Sequence, residues 1–298
     1  MVQCKRGTFD EAAIQQAGGI ILEEGAGIAL KGWRIESCKA PISSDADMDA
    51  VKEKLKAPNL PEQLFGDSLL RLSHKETGVS LSFTAQDALH AWVAEDRQPV
   101  RVALAEEWMR SRERDVQLSG AVSLDYDWTY STSYSGSLQQ ECPSQPSSPG
   151  GEWEWVPTIE QLDKGMLMAR DPILFYDEIP LYESELDDNG VSQLLVKVRV
   201  MPKCWFVLLR FWLRVDRVLV RLYETRLMGS FNWATGAPLV SREMRHSEGT
   251  FEQLRSTGAP PAGPAYQDAD STALALQAVA PIGVTHFSTE ILQQKAKQ

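Results

Sequence analysis

The sequence is poor in the residues that most often carry metal or thiol chemistry. Its 298 residues include only four cysteines (Cys4, Cys38, Cys142 and Cys204) and four histidines (His74, His90, His246 and His286). The cysteines are widely and irregularly spaced, with no CxxC and no histidine pair nearby, whereas zinc sites and disulfide frameworks need tighter patterns. Reduced thiols, no metal and no cofactor are the expectation. Long apolar runs are missing as well: the longest, Cys204 to Leu213, is too short to span a bilayer and contains Arg210. The opening residues, MVQCKRGTFDEAAI, lack the apolar stretch of a secretion signal, and no Asn-x-Ser/Thr sequon occurs. These absences read as cytoplasmic or nuclear residence.

Catalytic signatures are equally scarce. There is no phosphate loop, no dinucleotide fingerprint, no G-x-S-x-G and no H-E-x-x-H. The case for an enzyme weakens without closing, because paired carboxylates leave no local signature. Positive charge is short too: 30 basic against 41 acidic residues give a net charge of −11. A body of that sign repels nucleic acid and anionic membrane.

What the sequence does have is aromatic residues and well-patterned segments. Nine Trp, nine Phe and seven Tyr can bury a large core. Residues 1–27 have weak periodicity and read as a loosely held, flexible arm. Ile28 to Ile35 alternates as a strand around Trp33, and Ser44 to Asp47 has capping-box spacing before Met48, Val51 and Leu55. Pro58 and Pro61 stop that helix, leaving Leu60 to Asp67 as a helix exit and turn. Leu69 to His74 and Val79 to Phe83 predict a hairpin, Thr84 to Asp87 caps a second helix, and Val100 to Leu104 alternates as a strand. Residues 137–152, rich in Ser, Pro and Gly, read as a flexible insertion, and 246–298 as a low-complexity tail whose last 30 or so residues could carry a short docking helix or nothing.

The clearest pattern lies at 178–228. Strands at Ile179 to Glu185, Val196 to Val200, Cys204 to Val215 and Val218 to Leu227 are joined by short turns, which describes an antiparallel meander. Its continuously apolar third strand should be covered on both faces. The expectation is an α+β protein, one compact domain over 28–245 built on antiparallel sheet with a few short helices. Two charged features stand out. Asp125 to Tyr130 interleaves carboxylates with aromatics, which suits either a sheet edge or a carbohydrate-active site. Arg199, Arg210, Arg214, Arg217, Arg221 and Arg226, with Lys197 and Lys203, line the meander, and interleaved Asp216 and Glu224 favour cross-strand ion pairs over a nucleic-acid surface.

The run VSQLLVKVRVMPKCWFVLLRFWLRVDRVLVRLYETRL resembles the signature of the TIPRL family of TOR-signalling-pathway regulators. LPEQLFGDSLLR, FTAQDAL, AEEWMRSR, YDWTYSTSYSG and LYESELDDNGVS extend the resemblance, in order, across most of residues 28–228. The resemblance implies a non-catalytic regulator that binds the catalytic subunit of type 2A serine/threonine phosphatases, inhibits or sequesters it, and takes its C-terminal tail in a cleft. A Tap-type regulatory subunit is a further implied partner. Carried over by position, the phosphatase contacts fall at Asp87, Leu162, Leu222, Glu224 and Arg226. Glu224 stands where the family usually has aspartate, Leu162 and Leu222 replace other apolar residues, and Arg217 stands in a turn where glycine is common.

Overall fold

The structure, a computed structural model, describes residues 7–95, 100, 102–103, 121–122, 124–140, 152–232, 234, 237–256, 258, 266–278 and 284–295. The first third contains β1 (Thr8–Phe9), α1 (Glu11–Gln16), β2 (Ile20–Ile21), β3 (Gly27–Leu30), β4 (Trp33–Cys38) and α2 (Asp45–Leu55). There follow β5 (Gln63–Leu64), β6 (Leu69–His74), β7 (Val79–Thr84), α3 (Ala85–Ala94), β8 (Val102–Ala103), β9 (Ala121–Val122) and β10 (Ser137–Gln140). The remainder holds β11 (Trp153–Pro157), α4 (Lys164–Met168), β12 (Phe175–Ser184), β13 (Gly190–Val200), β14 (Cys204–Val215) and β15 (Leu219–Ser230). It ends with β16 (Val240–Thr250), α5 (Phe251–Ser256), α6 (Ala269–Ala278) and β17 (Val284–Gln294).

Among the described residues these strands build two main sheets. The larger has nine strands, ordered β1-β12-β13-β14-β15-β16-β17-β11 with β5 also on β12, and the smaller runs β10-β7-β6-β4-β3-β2. All of their pairings are antiparallel. The α+β architecture and the meander of the sequence reading are both present.

Alternation decides which side chains meet between the sheets. Trp33, Ile35, Leu70, Leu72, Leu81 and Phe83 of the smaller sheet pack against Val196, Val198, Trp205, Val207 and Phe211 of the larger, all at most 2% exposed. Trp33 and Trp205 meet edge to face with ring centroids 4.9 Å apart, a geometry that favours aromatic pairs. One polar link crosses the same interface: buried Asp177 of β12 accepts from Ser37 of β4 at 2.6 Å and from Lys39 Nζ at 2.6 Å. The outer face of β14 and β15 is covered in turn. There Trp212, Val220 and Leu222 pack under Phe251, Leu254, Tyr266, Ala273 and Leu276. The apolar third strand of the meander is therefore buried on both sides.

Local chemistry explains the element ends. The Ser44 side chain and Asp47 form the full reciprocal capping box of α2. Thr84 caps α3 by accepting from Asp87 N at 3.1 Å, but the Asp87 carboxylate turns to Ser137 instead of closing the box. Gly190, at φ 151, lets β13 approach β14 so closely that a Cβ there would lie 1.9 Å from the Arg214 carbonyl oxygen. Arg217 adopts φ 63, the left-handed conformation that glycine takes without steric cost.

Several sequence expectations need correction. The strand read over Ile28 to Ile35 is two strands, because Lys31 and Gly32 take positive φ (46° and 85°) and make a two-residue hairpin turn. Residues 7–27 are not a loose arm: β1 pairs with β12, β2 pairs with β3, and Ile14 is 2% exposed. Within 137–152, residues 137–140 form β10 on the edge of the smaller sheet, while 141–151 lie outside the described residues. In the supposed tail, β17 is inserted between β16 and β11. Among the described residues Cys204 is free and Cys38 is disulfide-bonded, against the expectation that all thiols are reduced. Of the strand read at Val100 to Leu104, residues 102–103 pair with β9, and residues 101 and 104 lie outside the described residues.

Candidate functional site

Three of the five carried-over positions come together, on the outer face of β15. Leu222, Glu224 and Arg226 alternate along the strand, so their side chains leave the sheet on the same side. Leu222 is 5% exposed and Glu224 4%. Glu224 is the hub of a charge cluster. Its Oε1 accepts from Arg210 Nε at 2.9 Å and Arg210 Nη2 at 2.7 Å, and its Oε2 accepts from Arg226 Nη2 at 2.7 Å. Arg210 stands directly across from Glu224 in the β14–β15 register, which is why the pair forms. Arg210 is buried, and burial, the largest influence on it, pushes its pKa down. Glu224 and Asp270 together outweigh that and the net shift is upward.

Arg226 is different. Its side chain is 30% exposed, and among the described residues it reaches, besides Glu224, only Glu243, at 3.7 Å. It is the accessible cation of the cluster.

This face is not an open groove. Helix α6 lies across it. Asp270 accepts from Arg210 Nη1 at 2.5 Å, and the Arg210 hydrogen bond holds that carboxyl below its usual pKa range. Trp212 Nε1 donates to Thr272 Oγ1 at 3.0 Å, and Arg214 Nη1 donates to the carbonyl of fully buried Tyr266 at 3.2 Å. Between Leu222, Glu224 and the helix residues Ala273, Leu276 and Gln277, only about 10 Å³ of cavity remains, room for one water at most. The sequence reading allows a short docking helix in the last 30 or so residues but does not place it, because the region reads as Ala- and Pro-rich low complexity. A signal was there: Asp268 Oδ1 accepts from Ser271 N at 2.8 Å as an N-terminal cap, and Ala269, Ala273 and Leu276 recur at helical spacing.

The other two positions lie elsewhere. Asp87, in the first turn of α3, accepts from Ser137 Oγ at 2.7 Å and so faces the smaller sheet, across the sandwich from the outer face of β15. Leu162 is 6% exposed on the segment between β11 and α4.

The competing features also resolve. Asp125 is exposed, whereas Asp127 is buried and accepts from Thr129 N at 2.9 Å and Thr129 Oγ1 at 2.5 Å. The aromatics Tyr126, Trp128 and Tyr130 line a cavity of about 50 Å³ that neither aspartate lines, far below the size of ordinary ligand pockets. The carboxylates that line it are Glu62 and Asp187, and Glu62 is taken up in accepting from Ser184 Oγ and from the backbone N–H groups of Glu185 and Asp187. The meander cations are mostly committed to acids: Arg214 to Asp216, Arg221 to Glu248, Lys197 to Glu178 and Lys203 to Asp171. Among the described residues no group of His, Cys, Asp and Glu is arranged to hold a metal, and no helix is long and apolar enough to cross a membrane.

Comparison with known proteins places this fold. A TIP41-like protein of Arabidopsis thaliana is 42% identical over an alignment of 259 residues that covers 84% of this chain and 87% of that protein. The TIP41-like protein of Homo sapiens is 42% identical over 195 residues, 65% of this chain and 68% of its own. The type 2A phosphatase activator TIP41 of Saccharomyces cerevisiae is 36% identical over 247 residues, covering 78% of this chain and 65% of that protein. The family model described as TIP41-like matches residues 63–255, from β5 to the end of α5. The chain belongs to the TIP41-like family.

Proposed function

We propose that this protein is a non-catalytic regulator that binds the catalytic subunit of type 2A family serine/threonine phosphatases within TOR-linked signalling in the cytoplasm or nucleus. The observation that carries the reading is membership of a family whose two yeast relatives are named as type 2A phosphatase activators. Those names speak of activation, whereas the resemblance in the sequence implies inhibition or sequestration; both begin from the same complex. The outer face of β15 is the proposed contact for the phosphatase tail. Arg226 is its entry point, because its planar fork suits a carboxylate and its present hold on Glu243 is long. Leu222 and Glu224 lie beneath α6, so a tail that reaches them displaces the helix. Asp87 and Leu162 would then belong to separate contacts on a large partner, and a Tap-type subunit to a further complex.

The test is calorimetric titration with a purified type 2A catalytic subunit. Arg226→Glu is expected to weaken binding by about tenfold or more, since it sets a like charge against the tail. Binding unchanged by this variant would move the contact off β15; no binding of the unaltered protein would remove the phosphatase reading. Asp270→Asn is expected to act in the opposite direction. It loosens α6, whose partly exposed ion pair is worth roughly 0.2–1 kcal/mol, so the competent fraction and the apparent affinity should rise by a factor of about 1.4 to 5. A fall in affinity instead would make α6 a wall of the site and not its cover.

A further inference from the structure

One rung of side chains crosses the whole smaller sheet on the face turned away from the core. Ile20, Ala29, Arg34, Ser73, Ser80 and Gln139 are successive cross-strand partners from β2 to β10. Three of the six are alanine or serine, and on a twisted sheet such short side chains leave a trough, here of about 910 Å³. That volume lies in the range of functional ligand sites.

The charge of the trough is opposite to that of the chain. Lys31, Arg34, Arg71 and Lys75 line it against one carboxylate, Glu36, in a protein of net charge −11. Arg34 Nη2 meets Glu36 at 2.7 Å, and the two charges offset each other. The other three cations enter no ion pair among the described residues, although Glu36 is the cross-strand neighbour of Arg71. Lys31 Nζ donates to a neutral acceptor, the Pro202 carbonyl, at 3.2 Å. Arg71 and Lys75 are exposed and enter no ion pair among the described residues. Elsewhere, Arg210, Arg221, Arg226 and Arg242 each have a carboxylate. On the trough floor, the Ser80 hydroxyl is buried without a hydrogen-bond partner.

We propose that this trough is a docking site for an extended acidic peptide segment of a partner protein, with Arg71 and Lys75 holding its carboxylates. Dimensions agree with such an occupant. Six strands at ~4.8 Å spacing span roughly 24 Å, which an extended peptide crosses with about seven residues. The cations that line the trough make recognition rest largely on charge, so it falls with salt. The site stands on the opposite sheet from β15 and does not depend on the phosphatase reading.

The experiment is fluorescence anisotropy of the full chain with a labelled peptide of about eight residues carrying glutamate at alternate positions. The double variant Arg71→Glu/Lys75→Glu is expected to lose roughly tenfold or more in affinity. The milder Arg71→Ser/Lys75→Ser should fall between it and the unaltered chain. The control, Arg199→Glu/Arg217→Glu, makes the same change in net charge on the larger sheet, at two exposed arginines without an ion pair among the described residues. Loss confined to the trough variants supports the site. Equal loss in the control would reduce the effect to the field of the whole protein and overturn it. Absence of binding up to about 1 mM, or tighter binding of single-stranded RNA than of the peptide, would overturn it as well.

Discussion

Glu224→Ala is expected to cost the fold about 3–5 kcal/mol, the usual penalty for leaving a buried charge without its partner. The charge left behind is Arg210, only 7% exposed, which now loses two hydrogen bonds and keeps Asp270 alone. Arg226 loses its 2.7 Å contact as well and retains Glu243 at 3.7 Å. For a chain of this size the loss corresponds to a fall of roughly 10 °C in the thermal midpoint. Two companions separate charge from packing. Glu224→Gln keeps the shape and an acceptor and should lose about 1.5–3 kcal/mol, the weight of a hydrogen bond to a charged group. The double change Arg210→Met/Glu224→Leu removes both charges and should come within about 1 kcal/mol of the original, since apolar replacement of a buried pair is often neutral. Urea denaturation of the three variants decides the matter. A loss below about 1 kcal/mol for Glu224→Ala would mean that the cluster is hydrated and contributes little.

That result bears directly on how the phosphatase contact is tested. Position transfer treats Leu222, Glu224 and Arg226 as equivalent contacts, but burial separates them. Leu222 and Glu224 are load carried by the fold, and a binding defect in either variant is confounded with unfolding. Arg226 is the most exposed of the three, but reversing it sets a third carboxylate beside buried Glu224 and Glu243. The neutral Arg226→Gln is therefore measured beside it, and the melting of both is compared with the unaltered chain. The alternation of the three residues was legible in the sequence. Their unequal burial was not, because it depends on a helix some fifty residues further along the chain.

Legibility elsewhere follows how local the determining physics is. The meander could be read because each turn carries its own signal, Asp187-Asp188-Asn189-Gly190 in one case and Asp216-Arg217 in another, and because β13 to β15 bury every second residue or more. Helix α2 and the β6–β7 hairpin were equally local. The small hairpin at Lys31-Gly32 was missed since lysine gives no sign of positive φ. The N-terminal strands are too short for any period to show: β1 and β2 have two residues each. The basic trough escaped notice because its rung is a cross-strand relation among residues spread from Ile20 to Gln139.

Strands β16 and β17, eleven residues each, are the longest elements that the sequence concealed, and removal of β17 is expected to have the largest effect of all. Its eleven residues, VTHFSTEILQQ, bury few apolar side chains, with only Ile291 and Leu292 adjacent to one another, so no alternation marks them as a strand. Yet β17 joins β16 to β11 and supplies the only strand partner of β11 among the described residues. Leu292 is fully buried, and Arg242, 8% exposed, is paired with Glu290. A chain ending at residue 283 would strand β11 with its buried Trp153, open a cavity at Leu292 and leave Arg242 uncompensated. The unpaired arginine alone should cost about 3–5 kcal/mol and the lost leucine about 2–5 kcal/mol. Their sum reaches the whole stability of a typical domain, roughly 5–15 kcal/mol. The expected outcome is a chain that fails to fold, seen as loss of a cooperative thermal transition and of the β signal in circular dichroism. A truncated chain that melts cooperatively within a few degrees of the full one would show that β17 is an accessory strand, as its composition suggests. Failure to fold would show that folding requires residues well beyond 255, where the family match stops.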